Sequence, residues 1–286
     1  MTVAKGVLYV VATPIGNLDD ITARALDVLR HVDVIACEDT RHSGKLLHHF
    51  SIQTPCVAYH EHNERQLSGQ LVARLAAGQA LALISDAGTP LVSDPGYHLV
   101  RQARQAGLTV VAIPGPSAVL AALSISGLPC DRFVFEGFLP AKTGPRQQRL
   151  AVLAAETRTL IFYESPHRIE HSLADMRAVF GDEREAVVAR ELTKRYETVR
   201  AGTLSVLSQW LASDEGQRRG EFVIVVQGVS RREQTAVDDE SARILRLLLK
   251  EELPLKRAAA VAAEITGRKK NELYRLALTM GAGGIE

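Results

Sequence analysis

The chain has 286 residues, enough for more than one domain and a sizeable core, and its apolar and charged fractions of 46% and 23% are those of an ordinary globular protein. A net charge of +1 gives no bulk preference for a polyanion, so charge has to be read locally. Cys37, Cys56 and Cys130 fit no disulfide framework and no metal spacing, no apolar run is long enough to span a membrane, and no signal-peptide pattern opens the chain, so a cytoplasmic protein is expected.

Residues 7–12 are a β-branched run, read as the first strand, ending in Thr13-Pro14-Ile15-Gly16-Asn17. Asp19-Asp20-Ile21-Thr22 then leads into a helix to about Arg30. There is no Gly-x-Gly-x-x-Gly here, and Pro14 stands where a dinucleotide loop needs glycine. Residues 32–37 are the second strand and run into the polar cluster Glu38-Asp39-Thr40-Arg41-His42-Ser43. Residues 55–59 are the third, followed by His60-Glu61-His62-Asn63-Glu64, with Asn63 expected to cap the next helix. The fourth strand, residues 81–84, breaks into Ser85-Asp86-Ala87-Gly88-Thr89-Pro90, where Gly88 permits close backbone approach to a ligand. Asp94-Pro95-Gly96 reads as a helix start with Asp94 as cap, and that helix stops at Gly107. Residues 109–113 are the fifth strand, ending in Pro114-Gly115-Pro116-Ser117-Ala118. Strands alternating with helices predict a parallel α/β domain over residues 1–118, with its polar loops converging at one sheet edge.

A buried helix over residues 118–127 opens a second α/β domain, residues 119–230, with a mixed sheet. Residues 139–149 read as a flexible basic loop, either a solvated connector or a lid against an anionic substrate. Residues 159–163 form a strand ending in Glu164-Ser165-Pro166-His167-Arg168, then a helix to about Phe180. Residues 186–189 form another, ending in Arg190-Glu191-Leu192-Thr193-Lys194. Ala201-Gly202 signals a turn, and residues 222–227 are the last strand, preceded by a polar turn that ends in Glu221. Residues 231–240 read as a linker. Residues 240–286 are helical: Ala258, Val261, Ala262 and Ile265, then Leu273, Leu276, Ala277 and Met280, make two amphipathic helices about Gly267, like a helix-turn-helix. Between Ala242 and Met280 nine Lys and Arg stand against four Glu, which suggests nucleic acid, the alternative being a helical pair that only packs.

Three chemistries remain open on the residues alone. His60 and His62, with Glu38, Asp39 and Asp86, could serve a metal-dependent hydrolase, although the spacings match no metal motif. The loops at 13–16, 86–90 and 114–118 offer backbone groups, hydroxyls and little positive charge, which suits a transferase whose cofactor carries an amino-acid moiety, an adenine and a sulfonium. A non-catalytic RNA-binding protein would explain the basic tail but not these loops.

Residues 8–22, Ser85-Asp86-Ala87-Gly88-Thr89-Pro90 and Pro114-Gly115-Pro116-Ser117-Ala118 resemble motifs of the tetrapyrrole-methylase-like S-adenosylmethionine (SAM) methyltransferases. The stretches 38–42, 85–90, 163–168 and 190–194 resemble the branch that methylates ribosomal RNA, the ribosomal RNA small subunit methyltransferase I family, and the likeness runs through the C-terminal helices. The resemblance implies two α/β domains with a SAM cleft between them, usually in a homodimer. It also implies methylation of the ribose 2′-hydroxyl of a cytidine in the decoding region of 16S rRNA, with either the 16S rRNA itself or the small ribosomal subunit as partner. Carried over by motif, the cofactor contacts are Ile15, Gly16, Asp86, Gly88, Thr89, Ser117, Ala118 and Tyr163. Thr13-Pro14-Ile15-Gly16 departs from the wider family's Gly-rich first loop, and Thr89 stands where that family usually has Asp. Both differences argue against a tetrapyrrole substrate.

A ribose hydroxyl is a weak acid, so a base or a cation should assist its attack. Lys194 is expected to serve, as a base or an electrostatic stabiliser, with Glu164 orienting it. Arg41, His60, His62, His167, Arg168 and Arg190 are expected on phosphates or ribose, and Lys269 and Lys270 on RNA. No metal is called for.

Overall fold

A computed structural model of the chain describes residues 3–229, 239–251, 253–266 and 270–281. They fall into two compact units, Met1–Ala154 with Arg158–Gln227, and Ala155–Thr157 with Gly228–Glu286.

The first unit holds two five-stranded sheets. In the first sheet β1 (Val7–Val11), β2 (Val34–Cys37), β3 (Cys56–Ala58), β4 (Leu81–Leu83) and β5 (Thr109–Ile113) lie in the order β3-β2-β4-β1-β5, every pair parallel. Alternate residues feed two cores, as a sheet covered on both faces requires. Tyr9, Val11, Ile35, Cys37 and Ala82 pack with Ala25, Val28 and Leu29 of α1 (Ala23–His31) and Leu47 of α2 (Thr40–His49). Leu8, Val34, Ala36, Leu81 and Leu83 pack with Leu71 and Leu75 of α3 (Glu64–Ala76) and Leu99 and Ala103 of α4 (Tyr97–Gln105).

Two expected caps are not formed. Gly96, at φ +139, is the residue before α4, and a Cβ there would meet Leu83 and Leu91, so the chain turns on a glycine and Asp94 is left for other work. Asn63 precedes α3 without capping it; its Oδ1 accepts the His60 N–H instead.

After α5 (Ala118–Ser126) the second sheet runs β6 (Phe133–Phe138), β7 (Thr159–Glu164), β8 (Glu185–Arg190), β9 (Thr198–Thr203) and β10 (Phe222–Val226), ordered β6-β7-β10-β8-β9. β6 and β7 are parallel and the other pairs antiparallel, so the sheet is mixed as expected. One face packs on α6 (Thr143–Leu153), α7 (Ile169–Phe180) and α8 (Leu204–Ser213) through Leu150, Phe162, Leu173, Val188 and Leu207. On the other face Ile161, Val187, Ala189 and Val223 cluster with Val119, Ala122 and Leu123 of α5 and with Ile15 from the first sheet's β1 loop. That shared core makes the two sheets one body.

Two expectations here are corrected. The basic stretch 139–149 is no loop: α6 starts within it, and the Arg146 side chain is buried, its Nε 2.6 Å from Asp175 and its other nitrogens on the Ala141 carbonyl and Thr143. Ala201-Gly202 is not a turn but mid-strand in β9, where a Cβ on Gly202 would press on Val206 at the start of α8.

The second unit contains α9 (Asp239–Lys250), α10 (Leu255–Thr266) and α11 (Lys270–Gly281) around Leu245, Ala258, Ala259, Ala262, Leu273 and Ala277. Three helices share this core, the first of them the Ile244, Leu247 and Leu248 stripe that Pro254 ends in the sequence. Lys270 is exposed, and Lys269 and Gly267 lie outside the described residues. Among those residues no helix is long and apolar enough to cross a membrane.

Candidate active site

The loops leaving the carboxyl ends of β1 and β4 are tied together. Thr13 N–H donates to the Gly88 carbonyl at 2.9 Å and Gly88 N–H returns to Thr13 at 3.0 Å. Gly88 holds φ +80 for this approach, and Thr89 Oγ1 donates to the Pro116 carbonyl at 3.1 Å, bringing in the third loop. The joined loops wall a cavity of about 410 Å³, within the size range of small-molecule sites. Ile15, Val92, Ala118, Leu192, Phe222 and Val223 line its apolar part. Tyr163, flanked by Phe135 at 4.9 Å and Phe138 at 5.6 Å between ring centres, stands over one side.

The charge around this cavity is negative. Asp86 and Asp94 line it, and among the described residues no Lys or Arg does. Burial, with Asp86 nearby, pushes the Asp94 carboxyl up to about 6. Burial and the fields of Asp94, Asp86, Glu61 and Asp39 push Glu38 up to about 7. Carboxyls crowded in this way bind a proton or another cation readily, whereas a phosphate would be repelled.

A second cavity of about 300 Å³ adjoins the first, and both are lined by Ile15, Asp86, Ala87 and Glu221. Its remaining wall includes Gly16, His42, Lys45 and Lys194. Lys194 comes from the loop after β8, where Glu191 and Thr193 hold left-handed φ of 52° and 65°. Its Nζ donates to Glu191 at 2.9 Å and to Glu221 at 2.8 Å. Burial pulls the ammonium down, but the bonds to Glu221 and Glu191 outweigh it and the pKa ends above its ordinary value. Lys194 is therefore a fixed cation. A Cβ on Gly16 would collide with the Lys194 side chain, so only glycine lets the first loop lie against it.

The sequence-derived residues divide on this geometry. Ile15, Asp86, Gly88, Thr89, Ala118 and Tyr163 line the first cavity and Gly16 the second. Ser117 lines neither; it precedes α5 without a side-chain cap bond. Glu164 lines the first cavity but does not orient Lys194: its carboxylate accepts from Arg168, the Ser165 N–H and Ser172. That partnership also engages Arg168, which donates to the Leu139 carbonyl as well. Arg190 is 8% exposed and gives its guanidinium to the carbonyls of Arg219, Tyr196 and Gly216, so it braces the turn before β10 and lines neither cavity. Arg41 is exposed and pairs with Asp39. His60 and His62 stack edge-on at 5.9 Å, and among the described residues no group of three or more His, Cys, Asp or Glu could hold a metal ion. The hydrolase alternative lacks a ligand set there. His167 is exposed and lines neither cavity.

Two members of the site were missed. Asp94 was masked by its resemblance to a helix cap. Glu221 sat inside a turn of charged residues, where its place before a strand beside Lys194's loop was the available signal.

The family profile described as Tetrapyrrole (Corrin/Porphyrin) Methylases matches residues 7–208, and that of the RsmI C-terminal HTH domain matches residues 235–281. A Pseudomonas aeruginosa protein named ribosomal RNA small subunit methyltransferase I is 59% identical over 276 residues, 96% of this chain and 98% of that one. An Escherichia coli O157:H7 protein of the same name is 55% identical, over 96% of each. Among solved structures, diphthine synthase superposes with a TM-score of 0.60 at 18% identity over 78% of this chain and 90% of that one. A Thermus thermophilus uroporphyrin-III-C-methyltransferase gives 0.55 at 21% over 78% and 94%. The fold, the two matched profiles and the near full-length identity agree: the chain belongs to the ribosomal RNA small subunit methyltransferase I family of the tetrapyrrole methylases.

Proposed function

We propose that this protein uses SAM to methylate the ribose 2′-hydroxyl of a cytidine in the decoding region of 16S rRNA, as a cytoplasmic homodimer acting on the small ribosomal subunit. Family membership supports a SAM-dependent rRNA methyltransferase. The observation that carries the reading further is the pair of adjoining cavities, one acidic and partly apolar, the other holding the Lys194 ammonium.

The first cavity fits SAM on its own chemistry. Apolar side chains at Ile15, Leu192 and Val223 suit an adenine, the tight turn at Gly88 presents backbone groups, and Asp86 and Asp94 complement an ammonium and a sulfonium. Bound SAM supplies a methyl group already activated by positive sulfur. The protein's part is alignment and charge. Residues 1–118 bring the loops at Ile15, Gly88 and Ala118, and residues 119–230 bring Tyr163, Lys194 and Glu221. Lys194, held protonated, stabilises negative charge developing on an attacking oxygen. It does not act as a base. The helices α9, α10 and α11 add basic surface for RNA.

Calorimetric titration with SAM, with and without EDTA, followed by transfer of labelled methyl to small subunits lacking the modification, tests the reading. Saturable binding indifferent to EDTA, with label in an alkali-resistant cytidine dinucleotide, is expected, because a 2′-O-methyl blocks alkaline cleavage. Label on a base, or an activity that needs a metal, would overturn it.

A further inference from the structure

We propose that the second cavity receives the acceptor ribose and that Glu221, on the border of the two cavities, takes up the proton of the attacking hydroxyl. The assignment rests on the methyltransferase reading above and names the proton acceptor that reading leaves open.

The argument begins with position. A methyl group passing between two bound molecules must cross where their sites meet, and the residues lining both cavities are Ile15, Asp86, Ala87 and Glu221. Two of these are carboxylates. Asp86 has an oxygen engaged by the Asp39 backbone N–H at 3.2 Å and faces the acidic group of Asp94 and Glu38, which suits it to hold a cation. Glu221 points elsewhere. Its Oε2 accepts from Lys194 Nζ at 2.8 Å, while its side chain remains 75% exposed.

The setting fixes the carboxylate without burying it. Gly220, at φ +95, leaves no room for a side chain against Glu191, and the Glu221 N–H donates to Glu191 at 3.0 Å. Glu191 and Lys194 thus hold the backbone and the carboxylate of the same residue, and Gly16 keeps Lys194 against the first loop. The second Glu221 oxygen, Oε1, is left for a hydroxyl in the second cavity. As the ribose oxygen bonds the methyl carbon, the carbon–sulfur bond breaks with its electron pair on sulfur, and the hydroxyl proton passes to Glu221. Exposure lets that proton leave to water. Lys194 steadies both the carboxylate and the oxygen losing its proton.

Glu221→Gln keeps size and hydrogen bonding but removes the proton acceptor, and Glu221→Asp keeps the acceptor with a shorter reach. Single-turnover transfer to small subunits at saturating SAM should fall about 10²–10⁴-fold in the Gln variant, the range of general-base assistance, and recover in part in the Asp variant. SAM affinity by calorimetry should fall at most about tenfold, since Glu221 also borders the first cavity, and so far less than the rate; small-subunit affinity should stay within about threefold of wild type, and the circular dichroism spectrum should be unchanged. A Gln variant with wild-type turnover overturns the assignment, as does a SAM affinity that falls in step with the rate. Wild-type protein that transfers no methyl to the subunit overturns the functional reading itself, and the assignment with it.

Discussion

Lys194 and Asp94 show how the same fold treats opposite charges. The ammonium is held between Glu191 and Glu221, and the carboxyl is crowded by burial and by Asp86. Lys194→Met should abolish transfer, by about 10²-fold or more, while SAM affinity stays within a few-fold, because the lysine lines the second cavity and not the first. Calorimetry beside single-turnover assays reads both. Asp94 sets a pH dependence. A raised carboxyl pKa means that its contribution to stability is complete below the ordinary value near 4 and is lost as pH rises through about 6, with Glu38 following through about 7. A bound cation has the opposite interest, since it favours the ionised carboxylates. SAM affinity should therefore weaken several-fold between about pH 8 and about pH 5.5. Asp94→Asn should flatten that profile at a lower affinity, and titrations across the range check it.

At the scale of the element, α6 and β9 explain where sequence reading stopped. Gly144 and Pro145 look like loop residues, yet both fall in the first turn of α6, where proline's missing N–H removes no helical bond. What holds that helix is a partner 29 residues away, Asp175 on α7, which no local pattern reveals. Arg146→Met should therefore destabilise the protein by about 3–5 kcal/mol, because the buried Asp175 carboxylate loses its cation and keeps only the Gln147 amide as a donor, measurable by urea unfolding. SAM binding below the transition should survive, since Arg146 lines neither cavity. Gly202 misled in the opposite sense: it serves the close approach of α8. The strands were the legible part, because apolar runs such as those at Val7–Val11 and Leu81–Leu83 are buried on both faces and read continuously.

For the whole molecule, the five strands of the first sheet and the loop motifs of the first cavity were readable, whereas the second cavity was not. It assembles from Gly16, His42, Asp86, Lys194 and Glu221, residues whose proximity exists only after both sheets form. Arg168 and Arg190, expected on substrate, are engaged by the fold itself, with Glu164 and with three carbonyls, and no local pattern in the sequence reveals those partners. The C-terminal unit carries its own test. Lys270 opens α11 and is exposed, so Lys270→Glu should lower small-subunit affinity, with a smaller slope of log affinity against log salt, and leave SAM binding alone. Filter binding across a salt series would show it, and unchanged affinity would leave this residue of α11 without a role in RNA binding.

Leu91, Ser93, Glu191 and Thr193 all hold left-handed backbone, two in the loop after β4 and two in the loop after β8. Each such conformation is disfavoured for a residue with a side chain, and together they fall in the two loops that supply the cavities. The rest of the fold bears that strain before any ligand arrives. Entry of a ligand is then expected to freeze little further backbone motion, and stopped-flow binding should show a rate that rises linearly with ligand concentration, as for capture by walls already set.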